Sequence, residues 1–514
     1  MRNAFHASDA EALVQGLPGA PAALALRVYT SRLLGRERAL VLHGGGNTSD
    51  KAALTDLFGQ EREVLFVKGS GADLAGITLD GFTPLDLAGL RRLRSLEALD
   101  DAEMENQLRI HKLVADAPDP SVEALVHAFL PHPWVDHTHA DAVLILANLE
   151  HGEALLAEAL GPGVAVLPYM RSGFPLAKAV AAACEAHPEA TAVVVRHHGV
   201  FTFGPDAQTT YGRMIDVVTR AEDFLRGKLG PDAVIPGPTA SVCHAAGEQT
   251  SGATVTASDL ETAARRRRAA RLVQCLRGAC GHMGPDGRMR RFHAEVRDTA
   301  DLLAAADSEA APAICGGGVF TLDHLVRTKN TFAYLPELPE DDEALRQAVV
   351  EVVDGYVSAY QAYLAAHNVP EAKAMDPFPR VFLARGVGLV ALGRTPGEVT
   401  VAADIGAQTV RAKVLAGKLG RYDALGADHV HDMEYWDLQL KKVARCAPPL
   451  LLGQNALVTG AGGAIGFGIA DRLLAAGAAV VVTDINADRL ATVRGILASR
   501  HPRGRVVAEV FDVT

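Results

Sequence analysis

The chain has no cysteine pair of the C-x-x-C kind, no long apolar run and no excess of positive charge. Its six cysteines are scattered, which fits thiols in a reducing compartment better than a disulfide framework. No stretch approaches the roughly 20 apolar residues of a membrane span. The N-terminal MRNAFHASDAEAL has no apolar core of a secretory signal. A cytoplasmic protein with no membrane partner is therefore expected. The formal net charge is −11 and the pI about 5.9, the opposite of the basic excess of a general nucleic-acid binder. A local basic pocket for a phosphorylated small molecule remains compatible with that charge. The glycine turns of the chain are not P-loops, since no G-K-[ST] follows them.

What is present is a soluble, globular composition, 49% hydrophobic and 22% charged over 514 residues, long enough for several domains at roughly 100–200 residues each. From about residue 20 to 230, strand-like and helix-like patterns alternate, which predicts an α/β domain. LVLHGGGNTS and EVLFVKGSGADL read as strands joined to glycine turns, and TAVVVRHHGVFTFG as a strand-turn-strand. Residues 231–255 are rich in Gly, Pro, Ser and Thr and read as a linker. A middle region, 256–440, opens with a helix carrying ARRRRAARL, whose arginines read as a solvated or packed helix face. It holds an echo of the first region. FLARGVGLVALG lines up with VVVRHHGVFTFG, so Gly388 and Gly393 match Gly199 and Gly204 while Val387 stands for His198. A degenerate repeat and a chance similarity both explain this. The segment 450–514 reads as strand, glycine turn, helix and strand, the start of a Rossmann-type fold, with a third strand at its end.

Three features carry chemistry. In VDHTHAD, His137 and His139 share one face of a strand, because side chains alternate there, and two imidazoles a pleat apart can share a metal. A solvated strand end is the plain alternative. A third imidazole, from His197 or His198, would complete a three-ligand site with an open position, the arrangement of catalytic zinc. Glu123, in SVEALVHAF, is a carboxylate able to move a proton near such a centre, or a surface glutamate. HGGGNTSDK and VKGSGAD hold glycines whose backbone N–H groups can form an anion nest. Asn47, Ser49 and Ser70 add donors there, and Lys51 or Lys68 adds charge.

The order G-G-G-N-T-S, G-S-G, S-V-E-x-x-x-H, H-T-H-A-D and H-H-G-V-F over residues 20–230 resembles the class II aldolase/adducin family. The resemblance implies zinc bound by His137, His139 and His198, with His197 the neighbour that does not ligate. It implies Glu123 as the catalytic acid/base. It also implies a phosphate site from Gly46, Asn47, Ser70, Gly71 and Ser121. Val122 departs from the family pattern, in which sugar-phosphate aldolases often have a second serine, and leaves a phosphorylated substrate open. Non-catalytic adducin-like members lack the histidine set that this chain keeps.

ALVTGAGGAIGFGIA resembles the T-G-x-x-x-G-x-G turn of short-chain dehydrogenases, with Ala464 at the middle glycine. The resemblance implies NAD binding by Gly460, Gly463, Ile465 and Gly466. Asp484 would take the adenosine ribose, and Asp512 and Val513 would lie beside adenine. The family's Y-x-x-x-K lies beyond the third strand, so a longer natural chain, and no dehydrogenase activity from these 514 residues alone, are expected. The domain order resembles bifunctional rhamnulose-1-phosphate aldolase/lactaldehyde dehydrogenases, and DHLVRTKN, DPFPRVFLARGVGL and HDMEYWDL fit that resemblance without an assignable role. The expected reaction is zinc-dependent retro-aldol cleavage of a ketose 1-phosphate, rhamnulose 1-phosphate, to dihydroxyacetone phosphate and lactaldehyde, through an enediolate, by a homo-oligomer. The rivals are a pentulose-phosphate 4-epimerase, which rejoins the fragments, and an adducin-like scaffold.

Overall fold

A computed structural model describes residues 1–17, 19, 21–231, 257–284, 287–441, 449–502 and 504–513. Apart from Pro231, the stretch read as a linker lies outside them. The chain divides into two compact units. The first comprises Met1–Pro238, Gly317–Val326 and Arg411–Val443, and the second comprises Thr239–Gly316, Arg327–Val410 and Ala444–Thr514. The middle region is therefore shared, with two of its segments built into the first unit.

The first unit is organised on a seven-stranded sheet. Its strands are β1 (Asn47–Thr55), β2 (Glu61–Lys68), β3 (Phe82–Asp86), β4 (Trp134–Thr138), β5 (Val164–Leu167), β6 (Ala192–Val195) and β7 (Gly199–Gly204). The order is β3-β2-β1-β4-β7-β6-β5, antiparallel except for the β5–β6 pair. Every residue of β4 is buried, as expected of a strand covered on both faces. The all-apolar helix after Asp141 and the long helix Ala207–Leu229 supply much of the core around Leu144, Val194, Met214 and Val218. The long helix starts where the Asp206 side chain accepts from Thr209 N–H, and ends on Gly230 at φ 98° with Arg226 and Lys228 in its last turn. The strand register decides where the chemistry lies. Asn47 pairs with His137, and His137 with Phe201. The start of β1, the end of β4 and the start of β7 thus meet at one end of three adjacent central strands.

The acid before the H-T-H pair belongs to the core. Asp136 points to the opposite face from His137 and pairs with Arg27 at 2.6 Å, both side chains fully buried; Arg27 also lies over the Trp134 ring. Asp50 is buried near the same guanidinium, and burial pushes its carboxyl up to about 7 against the lowering effect of Arg27. Folded Asp50 therefore keeps a proton that the unfolded chain has already released. Stability should fall as pH rises from about 4 to about 7, and level off above that. Asp50→Asn is expected to flatten this fall. Urea midpoints compared at about pH 5 and pH 8 measure it, and an unchanged slope would assign the pH dependence elsewhere.

In the second unit, Ala333–Leu335, Val381–Ala384, Gly388–Gly393 and His293–Arg297 form a four-stranded sheet. The hairpin Val381–Gly393 has the geometry of the β6–β7 hairpin. Ala384 pairs with Gly388 as Val195 pairs with Gly199. Gly386 at φ 70° stands where His197 has φ 58°, and Val387 is fully buried at the place of His198. The arginine-rich helix Ala257–Ala279 turns Arg265 and Arg271 to Asp298 and Asp342. Asn455–Thr459, Ala479–Asp484 and Val506–Val510 form a parallel sheet with Ala479–Asp484 in the middle. Among the described residues no helix is long and apolar enough to cross a membrane.

Candidate metal centre

His137 and His139 sit at the end of β4, and His198 in the turn between β6 and β7. Their ligand atoms all lie within 4.8 Å of one another, and the Nε2 atoms of His137 and His139 are 3.1 Å apart. A carbonyl can only accept, so the contact of His137 Nδ1 with Val200 O at 3.0 Å fixes the proton on Nδ1. Nε2 is left as the lone-pair nitrogen facing the cluster. Burial pushes His137 down to about 4 and His139 well below its ordinary value, so both are neutral, the form that ligates. Gly199 is needed beside them. A Cβ there would stand 2.4 Å from Thr138 O and 2.9 Å from ring carbons of both His137 and His139. Three converging imidazoles suit a borderline-soft divalent ion such as zinc. His197 faces elsewhere. Its left-handed backbone turns the ring to Asp423, 3.6 Å away, while its N–H donates to Asn148 Oδ1.

Glu123 lies against the same cluster, with Oε1 2.8 Å from His198 Nε2 and Oε2 3.4 Å from His137 Nε2. Burial pushes its carboxyl up, but the positive charge that His137 and His198 carry when protonated, together with the His198 hydrogen bond, outweighs this and holds it well below the usual carboxylate range. Behind it runs a buried chain. Asn47 Nδ2 donates to Glu123 Oε2 at 2.7 Å, and His127 Nε2 meets Asn47 Oδ1 at 2.5 Å and therefore donates. Burial pushes His127 down to about 3. With one ring proton, its Nδ1 accepts from the Ser49 hydroxyl at 2.7 Å. The Asn47 amide thus faces Glu123, a buried carboxylate that takes a strong hydrogen bond.

The glycine turns converge beside this chain. Gly46 has φ 62° and approaches His137 O so closely that a Cβ would stand 2.6 Å from it. A Cβ on Gly44 would lie 3.5 Å from Gly71 O. Ser70 N–H donates to Asp119 O, Ser121 N–H to Lys68 O, and Glu123 N–H to Ser121 Oγ. Of the two lysines considered, Lys68 belongs here, with Nζ donating to Gly44 O and Gly46 O. Lys51 donates to Leu130 O and His132 O, and burial pushes it down to about 7.

Other groups come from the segments without assigned chemistry. Asp323 Oδ2 lies 3.9 Å from His139 Nε2, and Gln439 Nε2 donates to Asp323 Oδ1 at 3.1 Å. Thr321 Oγ1 donates to His198 O, Asn148 Nδ2 to Phe320 O, and Tyr422 OH to Val319 O. Asp323 opens DHLVRTKN and Gln439 directly follows HDMEYWDL, and only tertiary structure brings these two residues beside His139.

In the C-terminal segment Gly460 has φ 62° and Gly463 caps the helix Ala464–Ala475. A Cβ on Gly466 would strike Gly460 O at 2.5 Å, so the helix packs on the turn only through glycine. Asp484 accepts from Gly462 N–H and Asn486 N–H, each at 2.9 Å. Ile465, Asp512 and Val513 are exposed.

The family descriptions matching the chain are Class II Aldolase and Adducin N-terminal domain over residues 25–225, Aldolase class II, second domain, over 267–443, and short chain dehydrogenase over 454–514. The chain is 30% identical over 490 residues to a protein of Bacillus subtilis (strain 168) called uncharacterized oxidoreductase YuxG, covering 95% of this chain and 68% of that one. The N-terminal class II aldolase domain of a conserved protein from Thermoplasma acidophilum is 36% identical, over 44% of this chain and all of that one, with a TM-score of 0.39. The L-fuculose-1-phosphate aldolase from Thermus thermophilus is 20% identical, over 40% of this chain and 98% of that one, with a TM-score of 0.27.

Proposed function

Because the chain belongs to the class II aldolase/adducin family, in the form that joins two aldolase domains to a short-chain dehydrogenase segment, we propose that it is a zinc-dependent aldehyde-lyase cleaving a ketose 1-phosphate. The observation that carries this is the meeting of three buried imidazoles with the buried carboxylate of Glu123. His137, His139 and His198 hold the ion, which when bound supplies a Lewis acid for negative charge developing on substrate oxygens. In the cleavage of C3–C4 the C4 hydroxyl loses its proton to the ionised Glu123 as the aldehyde carbonyl forms, and the electron pair of the broken bond stays on C3. Glu123 delivers the proton that C3 then takes up. Ser49, His127 and Asn47 hold its carboxylate in place. Gly46, Ser70, Gly71, Ser121 and Lys68 anchor the phosphate away from the reacting bond, so that binding energy orients the sugar.

With rhamnulose 1-phosphate the products are dihydroxyacetone phosphate and lactaldehyde, a step in rhamnose use. A dehydrogenase domain of this kind would take NAD, with Asp484 on the ribose, and convert the reactive aldehyde. We place the protein in the cytoplasm as a homo-oligomer. The test is purified protein with rhamnulose 1-phosphate, with and without chelator, dihydroxyacetone phosphate being captured by a coupled enzyme. Cleavage that stops on chelation and returns with zinc is expected. Zinc-loaded protein that yields an epimer and no triose phosphate is a 4-epimerase, and protein that takes up no stoichiometric zinc is a scaffold.

A further inference from the structure

We infer that Asp323 is a substrate-positioning residue of this centre, accepting a hydrogen bond from a hydroxyl on the half of a polyol phosphate that leaves as the aldehyde. The inference rests on the reading of the site as an aldolase. His139 meets the glycine turn on one edge and Asp323 on the other. A Cβ on Gly45 would lie 3.3 Å from its Nδ1, and Asp323 Oδ2 lies 3.9 Å from its Nε2. A substrate held by its phosphate at the glycine turn, and extending past the histidines, arrives at Asp323.

The carboxylate is placed for this. Gln439 holds Oδ1 while Oδ2 faces His139, and the side chain is 29% exposed. Its segment is tied down three times, by the Thr321 hydroxyl donating to His198 O and by the carbonyls of Phe320 and Val319 accepting from Asn148 and Tyr422. That is more anchoring than a surface loop requires. Asp323 is not a member of the cluster whose ligand atoms all lie within 4.8 Å of one another, which among the described residues is the three histidines alone. On this inference it sits beside the ion's place rather than in the ligand set. An ionised carboxylate accepts and never donates, and with several lone pairs it can take a further hydrogen bond from a substrate hydroxyl. A polyol supplies the hydroxyl.

The test compares wild type, Asp323→Asn and Gln439→Leu in three measurements: zinc affinity by chelator competition, calorimetric binding of dihydroxyacetone phosphate, and KM and kcat for rhamnulose 1-phosphate. Asp323→Asn should keep zinc affinity and dihydroxyacetone phosphate binding at wild-type level, because that fragment lacks the aldehyde half. KM for the whole sugar should rise by about 10- to 100-fold, the usual loss when one charge-assisted hydrogen bond is removed. Gln439→Leu should move KM the same way by less. Zinc lost together with the carboxylate would make Asp323 a ligand and overturn the inference, as would an unchanged KM. If zinc-loaded wild type cleaves no ketose phosphate, the aldolase reading fails separately. Calorimetry of rhamnulose 1-phosphate on both proteins then decides, and equal affinities overturn the role of Asp323.

Discussion

Glu123→Gln is expected to keep its metal and its fold and to lose turnover by about 10²–10⁴-fold, the usual contribution of a general acid/base. The change is isosteric, yet it puts an amide NH2 where Asn47 now donates to Oε2. The buried chain can absorb that. Asn47 can flip so that its oxygen accepts from the new amide. His127 then moves its proton to Nδ1 and accepts from Asn47 on Nε2, and the Ser49 hydroxyl rotates to accept from Nδ1. Each donor as far as the imidazole again has an acceptor, because the neutral ring exchanges the roles of its two nitrogens and the hydroxyl turns freely. Thermal stability should therefore stay within about 1 kcal/mol of wild type. Zinc content should not change, since all three imidazoles remain. What is lost is a group that takes and returns a proton. Unchanged kcat would remove Glu123 from the mechanism. Loss of the metal would show the carboxylate to be a ligand.

How much of this was legible in the sequence differs from residue to residue, for physical reasons. The H-x-H pair could be read because a strand has a period of two, which forces His137 and His139 to one face and Asp136 to the other, where it pairs with Arg27. Glycine positions could be read because turns and close approaches admit nothing larger, and Gly46, Gly199 and Gly466 each meet that limit. The role of Asn47 could not be read. Where an amide points depends on which neighbour binds it most strongly, and His127 and Glu123 come from another part of the chain. Asp323 was out of reach for a simpler reason. Asn148 and Phe320, the contact that ties its segment in, are 172 residues apart, and no local pattern encodes such a meeting. The same holds for the split of the middle region, which is continuous in sequence but shared between the two compact units.

His139→Ala should strip the metal and abolish cleavage while leaving the sheet intact. A three-imidazole site that loses one donor keeps two, too few to hold an ion against solvent. The loss in affinity should exceed the 10- to 100-fold usual for changes only to the groups behind the ligands, so more than about 10²-fold. The fold should survive because His139 is held by its backbone. Its N–H donates to Leu40 O, and Asp141 N–H donates to Ala39 O two residues on. Burial already keeps its ring neutral, so truncation strands no buried charge. The neighbouring histidine pair supplies the control. His197 lies against Asp423 with a left-handed backbone that asparagine tolerates, so His197→Asn should bind zinc like wild type. Elemental analysis of both variants after dialysis, beside the cleavage assay, reads the two arms together. Stoichiometric zinc and full activity in His139→Ala would exclude the site, and zinc lost from His197→Asn but kept in His139→Ala would exchange the two histidines' roles.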